Sequence, residues 1–239
     1  MTYQDKTLKQ ELLKKYTDNG FDSLSEKEIL MLILSFDVKT NLEETSDKLL
    51  GQYHSLNSVI DANVNDLKNI FGINDRTVAL LKTIPQLSKK YHIEIENIKS
   101  LNSAENALRF FKNYFIGALV EQFVVACTNK KFQIKDCRTI FSGNITSVRI
   151  SHREVADFAI KNKSPYVFIA HNHVSGDASP SYDDYTATNH IHKILLPLGV
   201  QLVDHIVIGK SSCVSMRELS YPLDFKNVEC PGYIIRKSE

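Results

Sequence analysis

The sequence predicts an all-α region followed by an α/β (α+β) domain, in which helices flank a mixed β-sheet. Apolar residues recur at helical spacing through the first part of the chain, and the second part alternates helical patterns with short apolar runs. The predicted order of helix, hairpin, helix, strand, helix and strand is typical of a mixed sheet with helices packed on it. We therefore expect a helical domain over 1–97, a sheet domain over 101–225 and a C-terminal tail over 226–239.

The first predicted helices have clear start and stop signals. Ser25 and Glu28 form a capping-box pattern ahead of an apolar run. A further helix is predicted over 45–50, ended by Gly51, and Pro85 is expected to interrupt or end the last helix of the region. The first helix follows from the spacing of Leu8, Leu12, Leu13 and Tyr16.

The helices over 65–70 and 76–87 resemble a helix-hairpin-helix, a motif whose turn presents main-chain N–H groups to nucleic-acid phosphate. Here Asn74 stands where a second turn glycine is expected after Gly72, and Asp75 adds a negative charge. The first 100 residues hold 13 Lys and Arg against 15 Asp and Glu, without the basic excess of a duplex-binding face. The sequence favours a packing hairpin over DNA binding and leaves both open, since a local basic face can exist within a balanced total.

The second half contains the elements of the predicted sheet. Asn129–Lys131 is a turn signal between two apolar runs, which predicts a hairpin. Ser103 and Ser151 are predicted helix N-caps, and Pro197–Gly199 a helix stop. The predicted helices cover 103–115, 151–161 and 181–196, and the predicted strands cover 119–128, 132–141, 166–170 and 201–209, with a short extended stretch at 145–150.

The strand predicted over 166–170 leads into a candidate metal site. Side chains two apart on a strand point to the same side, so His171 and His173 can direct both imidazoles at one point. Ser181 and Asp184 are three apart in the first turn of the next helix, which brings a carboxylate to the same place. Three protein ligands that leave a fourth position for water are typical of catalytic zinc. The sequence therefore predicts a Zn²⁺ site at His171, His173 and Asp184.

The loop between these ligands predicts how the helix begins. Ser175-Gly176-Asp177 is a turn signal, and Ser179-Pro180 offers an N-cap followed by Pro at the first helical position. Asp177 is interpreted as a turn residue.

The composition is that of an ordinary soluble globular protein. The chain has 239 residues, is 43% hydrophobic and 24% charged, and has a formal net charge of +1. It shows no apolar run that could cross a bilayer and no secretory signal, and its four cysteines are scattered without metal-ligand spacing. We expect a cytoplasmic protein with no membrane partner, while its oligomeric state cannot be predicted.

With these residues in view, about 101–220 resembles the JAMM/MPN metalloprotease domain in its bacterial RadC-like branch. The resemblance rests on His171-x-His173, Ser181 and Asp184 at unbroken spacing within the string HNHVSGDASPS. Glu121 in EQFVV, the SHREV string and the VDHIVIG string agree with it. The helical half resembles the N-terminal domain of the same branch more loosely. Val174, Ala178 and Asn74 depart from the common pattern of the branch.

The resemblance implies a JAB/MPN fold, which is cytidine-deaminase-like, and a zinc-dependent metallopeptidase or isopeptidase. It implies that His171, His173 and Asp184 hold zinc and that Glu121 is the general base for a metal-activated water. It implies that Ser181 donates a hydrogen bond to the tetrahedral intermediate or the water. The implied partner is a protein or peptide-conjugate substrate.

Other polar residues are weaker candidates. Asp204-His205 is interpreted as a structural pair at a strand end, and the alternatives are a carboxylate that supports a metal ligand or a metal ligand itself. Arg153 is either a substrate contact or a solvated helix-start charge. His190 and His192 lie two apart on a helix and do not face each other, which disfavours ligation by both.

Two further functions compete with the hydrolase. The first is a DNA-repair-associated accessory protein that binds nucleic acid through its helical half. The second is a zinc nuclease or deaminase, which the pattern disfavours. HNH nucleases spread their histidines along a longer unit, and zinc deaminases need H-x-E with a later P-C-x-x-C, whereas Asn172 separates the histidines here.

Overall fold

The structure is a computed structural model that describes residues 3–37, 41–143, 152–219, 223–226 and 228–235. The chain divides into two compact units, Met1–Ser88 and Lys89–Glu239. The first is helical and the second contains a mixed five-stranded sheet flanked by helices, which confirms the predicted fold class. None of the helices within the described ranges is long and apolar enough to cross a membrane.

The helical unit packs around a core of leucines that are fully buried. The predicted capping box is present, because Ser25 accepts a hydrogen bond from Glu28 N and Glu28 accepts one from Ser25 N. Its core includes Leu30, Leu34, Leu42, Leu49, Leu67 and Leu81. Its helices are α1 (Tyr3–Asn19), α2 (Glu26–Leu34), α3 (Leu42–Tyr53), α4 (Leu56–Asp61), α5 (Val64–Lys68) and the start of α6 (Asp75–Glu96), with a 3-10 turn at Phe21–Ser23.

Two predicted helix ends in this unit are wrong. Helix α3 continues through Gly51 and stops at His54, whose left-handed conformation (φ 67°) ends it. A glycine inside a helix costs only about 1 kcal/mol, which the burial of Leu49 can offset. Helix α6 continues through Pro85, because the ring removes only one main-chain hydrogen bond from a helix of 22 residues.

The sheet has the strand order β2-β1-β3-β4-β5. Strands β1 and β2 form the predicted antiparallel hairpin, β1 also pairs antiparallel with β3, and β3 pairs in parallel with β4. Strand β5 pairs antiparallel with β4 at the edge and was not predicted from the sequence. The strands are β1 (Gln122–Thr128), β2 (Ile134–Ser142), β3 (Tyr166–Asn172), β4 (Gln201–Ile208) and β5 (Cys213–Ser215).

Helices cover both faces of the sheet, so the central strands β1, β3 and β4 are buried along nearly their whole length, whereas the edge strand β2 is half-buried or exposed. Helix α7 packs on one face, and helices α8 and α9 pack on the other. The β3–β4 pair is connected through α9, as parallel strands require a crossover. Ser103 caps α7 as predicted. These helices are α7 (Ala104–Tyr114), α8 (His152–Lys161) and α9 (Tyr182–Leu195), followed by a 3-10 turn at Leu196–Leu198. The predictions for 145–150 and Ser151 concern residues outside the described ranges.

The last described segment, 228–235, packs on the α7 face. Ile234 N donates to Asn102 O and Ala104 N donates to Ile234 O, each at 2.9 Å. Tyr233 lies against Phe168, with ring centroids 5.6 Å apart. This segment therefore contributes to the core of the sheet unit.

Candidate metal centre

The two histidines meet at the end of β3. His171 is near the strand end and is buried, while His173 follows the strand and its side chain is 16% exposed. Their Nε2 atoms lie 2.9 Å apart. Alternation along the strand puts His171 on the face covered by α8 and α9, which is the face from which the next ligand comes.

Asp184 reaches the histidines from the start of α9. Ser181 is the N-cap of this helix, and Ser181 and Asp184 form a capping box. The Asp184 Oδ2 atom accepts from Ser181 N and from Ser181 Oγ, both at 2.7 Å, and Ser181 Oγ accepts from Asp184 N at 3.2 Å. The expected N-cap at Ser179 is wrong. Ser179 instead donates to the Asp177 carboxylate, because the loop needs an Asx turn before the helix can begin.

The three side chains fit a tetrahedral metal ion. Asp184 Oδ1 lies 3.1 Å from His171 Nε2, and Asp184 Oδ2 lies 3.5 Å from His173 Nε2. Zinc bonds of the usual length at a tetrahedral angle would put neighbouring ligand atoms about 3.3 Å apart. Among the described residues these three form a group that can hold a metal ion, with ligand atoms within 4.8 Å of one another.

Each histidine turns its second nitrogen towards a protein partner. His173 Nδ1 lies 2.7 Å from the Asp177 carbonyl oxygen, and His171 Nδ1 lies 2.8 Å from His205 Nε2. Metal-binding histidines are normally oriented by such a hydrogen bond from the nitrogen that faces away from the metal. This arrangement leaves both Nε2 atoms directed at Asp184.

The charges at the centre shift one another's pKa values. Burial opposes ionisation of Asp184, but His171 and His173, which donate to the carboxylate when their Nε2 atoms are protonated, outweigh it and hold the pKa of this carboxyl well below its usual range. The hydrogen bond that a protonated His173 donates to Asp184 raises the pKa of His173, against the effect of burial, and the charge of Glu121 adds to the rise. Burial and the neighbouring His171 lower the pKa of His205 well below its ordinary value.

Asn172, between the two histidines, connects them to the segment that carries Glu121. Its Oδ1 atom accepts from Gln122 N at 2.7 Å, and its Nδ2 atom donates to Val120 O at 3.1 Å. Phe123 pairs with His171 across the β1–β3 ladder, so residue 121 falls opposite residue 173 when the register is continued. Glu121 O accepts from Gly143 N at 2.8 Å.

The structure also places the other candidate residues. The Arg153 side chain is 91% exposed and lies 3.6 Å from Asp157. His190 and His192 diverge, since His190 lies against His152 and His192 lies against Phe225. Neither of the two belongs to the metal group.

Three contributors were not singled out from the sequence. Thr188 Oγ1 lies 2.6 Å from His205 Nδ1 and donates to Asp184 O at 2.5 Å. The side-chain amide of Asn172 and the main-chain carbonyl of Asp177 are the other two. The position of Thr188 one helical turn after Asp184 was a usable signal, because residues four apart share a helix face. The contacts of Asn172 depend on strand pairing.

The chain is similar to known proteins over most of its length. Residues 101–221 match the family described as RadC-like JAB domain. A UPF0758 protein of Pelodictyon phaeoclathratiforme is 31% identical over 201 residues, which cover 84% of this chain and 90% of that protein. A UPF0758 protein of Bacillus cereus is 31% identical over 204 residues, covering 83% and 89%. A UPF0758 protein of Clostridium botulinum is 28% identical over 211 residues, covering 87% and 92%. The chain belongs to the RadC-like JAB domain family.

Proposed function

We propose that this protein is a zinc-dependent metallopeptidase or isopeptidase that hydrolyses an amide bond in a protein or peptide-conjugate substrate. The observation that carries the proposal is the convergence of two imidazole nitrogens and one carboxylate at a partly open position. The His171 side chain is 1% exposed, whereas those of His173 and Asp184 are 16% and 13% exposed. The partial exposure of His173 and Asp184 gives solvent access to one side of the group.

The ligands divide the work of holding the metal. His171, His173 and Asp184 would hold Zn²⁺, and the depressed pKa of Asp184 keeps its carboxylate ionised at neutral pH. A bound zinc ion would supply a water with a pKa of about 7 and would polarise the substrate carbonyl. Because His171 is buried, it would hold the metal from the protein interior, while His173 and Asp184 lie next to solvent.

Glu121 is the proposed general base and acid. It accepts a proton from the attacking water and delivers that proton to the leaving nitrogen, which would otherwise depart as an unstable anion. The continued register opposite His173 and the effect of its charge on His173 support this role. Asn172 holds the main chain on both sides of Glu121, which limits the movement of the carboxylate.

Ser181 has a proposed role at the developing oxyanion. In the structure its hydroxyl donates to Asp184 Oδ2 and accepts from Asp184 N. Rotation of the hydroxyl hydrogen away from Asp184 lets Ser181 donate to a substrate oxygen while it remains the N-cap. The same hydroxyl thus orients the metal ligand before substrate binds.

DNA binding at the turn before α6 is not favoured. Asn74 Oδ1 accepts from Arg76 N at 2.8 Å and from Thr77 N at 3.1 Å, so these two N–H groups already have partners. Lys68 Nζ lies 2.7 Å from the Asp75 carboxylate. A phosphate at this turn would have to displace the side-chain cap and approach a paired lysine.

The function is tested with zinc-loaded wild type and the Glu121→Gln variant. We expect wild type to bind about one zinc per chain. In a lysate from which endogenous peptidases have been removed by heat, zinc-loaded wild type should release new amino groups, detected by amine-selective labelling and mass spectrometry. Glu121→Gln should bind zinc as well as wild type does, and it should release amino groups at least about 100-fold more slowly.

Lys112→Gln is a matched surface control, because Lys112 is exposed on α7 and contacts none of the metal ligands among the described residues. It should behave as wild type. Equal release by Glu121→Gln and wild type would remove the proposed general base. No release by wild type from either linear peptides or lysine-linked conjugates would overturn the hydrolase proposal.

A further inference from the structure

A line of hydrogen bonds runs from the main chain of α9 through Thr188 and His205 to His171. We infer that Thr188 and His205 are positioning residues that keep the His171 proton on Nδ1 and so leave Nε2 free to bind metal. This inference rests on the metal site of the proposed function, but it concerns proton positions and metal affinity and needs no substrate.

The line starts at a group that can only accept. Asp184 O is a main-chain carbonyl, and Thr188 Oγ1 lies 2.5 Å from it. The single hydroxyl hydrogen of Thr188 must therefore point at this carbonyl. The opposite assignment would leave two oxygen atoms at 2.5 Å without a hydrogen between them.

The second step fixes the tautomer of His205. Its Nδ1 atom lies 2.6 Å from Thr188 Oγ1, whose only hydrogen is already committed. His205 Nδ1 therefore carries a hydrogen and donates to the threonine oxygen. The ring is 1% exposed and lies edge-on to Phe123, with centroids 6.0 Å apart, an environment in which the neutral ring is favoured. Its Nε2 atom is consequently a lone-pair acceptor.

The third step reaches the metal ligand. His171 Nδ1 lies 2.8 Å from the accepting Nε2 of His205, so it must donate and carry the proton. His171 Nε2 is then bare and faces Asp184. His173 should also carry its proton on Nδ1, because this atom lies 2.7 Å from the Asp177 carbonyl oxygen, which can only accept.

The ligand atoms of the metal centre are therefore all hydrogen-bond acceptors. Two bare Nε2 atoms stand 2.9 Å apart, with carboxylate oxygens 3.1 and 3.5 Å away. Lone pairs at these separations repel one another unless a cation or proton lies between them. Thr188 and Asp184 are on the same helix, so α9 supplies one ligand and also sets the tautomer of another.

The direct test is nitrogen NMR of the full chain after removal of metal by a chelator, at a pH about two units above the ordinary histidine value. Long-range nitrogen–proton correlations distinguish the two neutral tautomers of each ring. We expect the Nδ1–H form for both His171 and His205 in the wild type. The Asp184 carboxylate favours the Nε2–H form of His171, so finding that form in the wild type would overturn the inference.

The second test measures zinc affinity by competition with a chromogenic chelator. Thr188→Val keeps the shape but removes the hydroxyl, and Thr188→Ser retains it as the matched control. We expect Thr188→Val to lower zinc affinity about 10- to 100-fold and to give mixed His171 tautomers, while Thr188→Ser keeps the wild-type pattern. Unchanged tautomers and affinity in Thr188→Val would contradict the inference.

These results separate the inference from the hydrolase proposal. If no substrate is cleaved but the tautomers and the loss of affinity are as expected, the positioning role stands and only the reaction is wrong. If Thr188→Val fails to fold, the wild-type tautomers alone decide the question.

Discussion

Two neighbouring residues on β4, Asp204 and His205, show how one strand serves two different clusters. Both are buried, with relative exposures of 0% and 1%. Consecutive side chains of a strand point to opposite faces, so His205 enters the α8–α9 face and Asp204 enters the α7 face. A register shift near Val167 and Phe168 precedes the pairing of Phe168 with Asp204 and of Ile169 with His205. The two residues therefore take part in separate networks.

The network around Asp204 is closed on itself. The carboxylate accepts from Ser215 Oγ at 2.6 Å and Tyr233 OH at 2.7 Å, as well as from the main-chain N–H groups of His205 and Arg217. The Arg217 side chain donates to the carbonyls of Val203, Phe225 and Val228. We call Asp204, Ser215, Arg217 and Tyr233 the Asp204 cluster. It ties the segment after β5 to the sheet.

The network around His205 instead ends at metal ligands that are partly exposed to solvent. His205 uses one ring nitrogen as a donor to Thr188 and the other as an acceptor from His171. Beyond His171, the network reaches the metal-ligand atoms, which have lone pairs but no hydrogens. We infer that a buried polar group whose hydrogen bonds are all made within the protein stabilises the fold. A buried polar group whose network ends in acceptors without donors instead supports metal binding. Substitutions on the two sides should accordingly separate stability from metal affinity.

The largest effect is expected for Asp184→Ala. This change removes a ligand, and we expect zinc affinity to fall by more than about 100-fold, beyond the range typical of residues that only orient ligands. Loss of the capping-box contact should lower the free energy of unfolding of the metal-free chain by about 1 kcal/mol. Asp183→Ala is the matched control, because Asp183 is an exposed residue of the same helix turn. Zinc bound by Asp184→Ala at wild-type affinity would show that the carboxylate is not a ligand.

The second-largest effect is expected in the pH dependence of the unfolding free energy, which Asp204 controls. Burial raises the pKa of Asp204 to about 6, although its hydrogen bonds from Ser215 and Tyr233 oppose the rise. A carboxyl whose pKa is higher in the folded state contributes stability below its unfolded pKa and loses it as pH rises through the folded value. Compared with Asp204→Asn, the wild type should therefore lose roughly 2 kcal/mol of unfolding free energy between about pH 4 and pH 7.

Urea unfolding of both proteins, metal-free and at several pH values, measures this difference. The titration of the histidines is common to both proteins and cancels in the comparison. Parallel curves for wild type and Asp204→Asn would mean that Asp204 has the same pKa in the folded and unfolded chains.

The local parts of the metal site could be predicted from the sequence, because they follow from the geometry of a single element. His171 and His173 are two apart on a strand, and Ser181 and Asp184 are three apart at a helix start. The loop departed from expectation at Ser179, since an Asx turn on Asp177 delays the helix by two residues.

The supporting contacts could not be predicted because they depend on which strands are neighbours and in what register. His205 follows His171 by 34 residues and meets it only through the parallel pairing of β3 with β4. Asn172 reaches Gln122, 50 residues earlier, through the β1–β3 ladder. In the helical unit, Gly51 and Pro85 do not end their helices, since packing and the rest of a long helix outweigh one unfavourable residue.

The smallest effect sharpens the comparison most directly, because it touches only the closed network. Tyr233→Phe removes one hydrogen bond to the Asp204 carboxylate and leaves the ring packed against Phe132 and Phe168. We expect the free energy of unfolding to fall by about 1.5 kcal/mol, since a buried acceptor loses a donor. Zinc affinity should stay within about twofold of wild type, because the two networks are joined only by the main-chain N–H of His205, which donates to Asp204, and share no side-chain contact among the described residues. Tyr91→Phe, on the exposed part of α6, is the control and should change neither quantity. A loss of zinc affinity in Tyr233→Phe would show that the two faces of β4 are coupled through the strand, and Asp204 would then belong to the support of the metal centre.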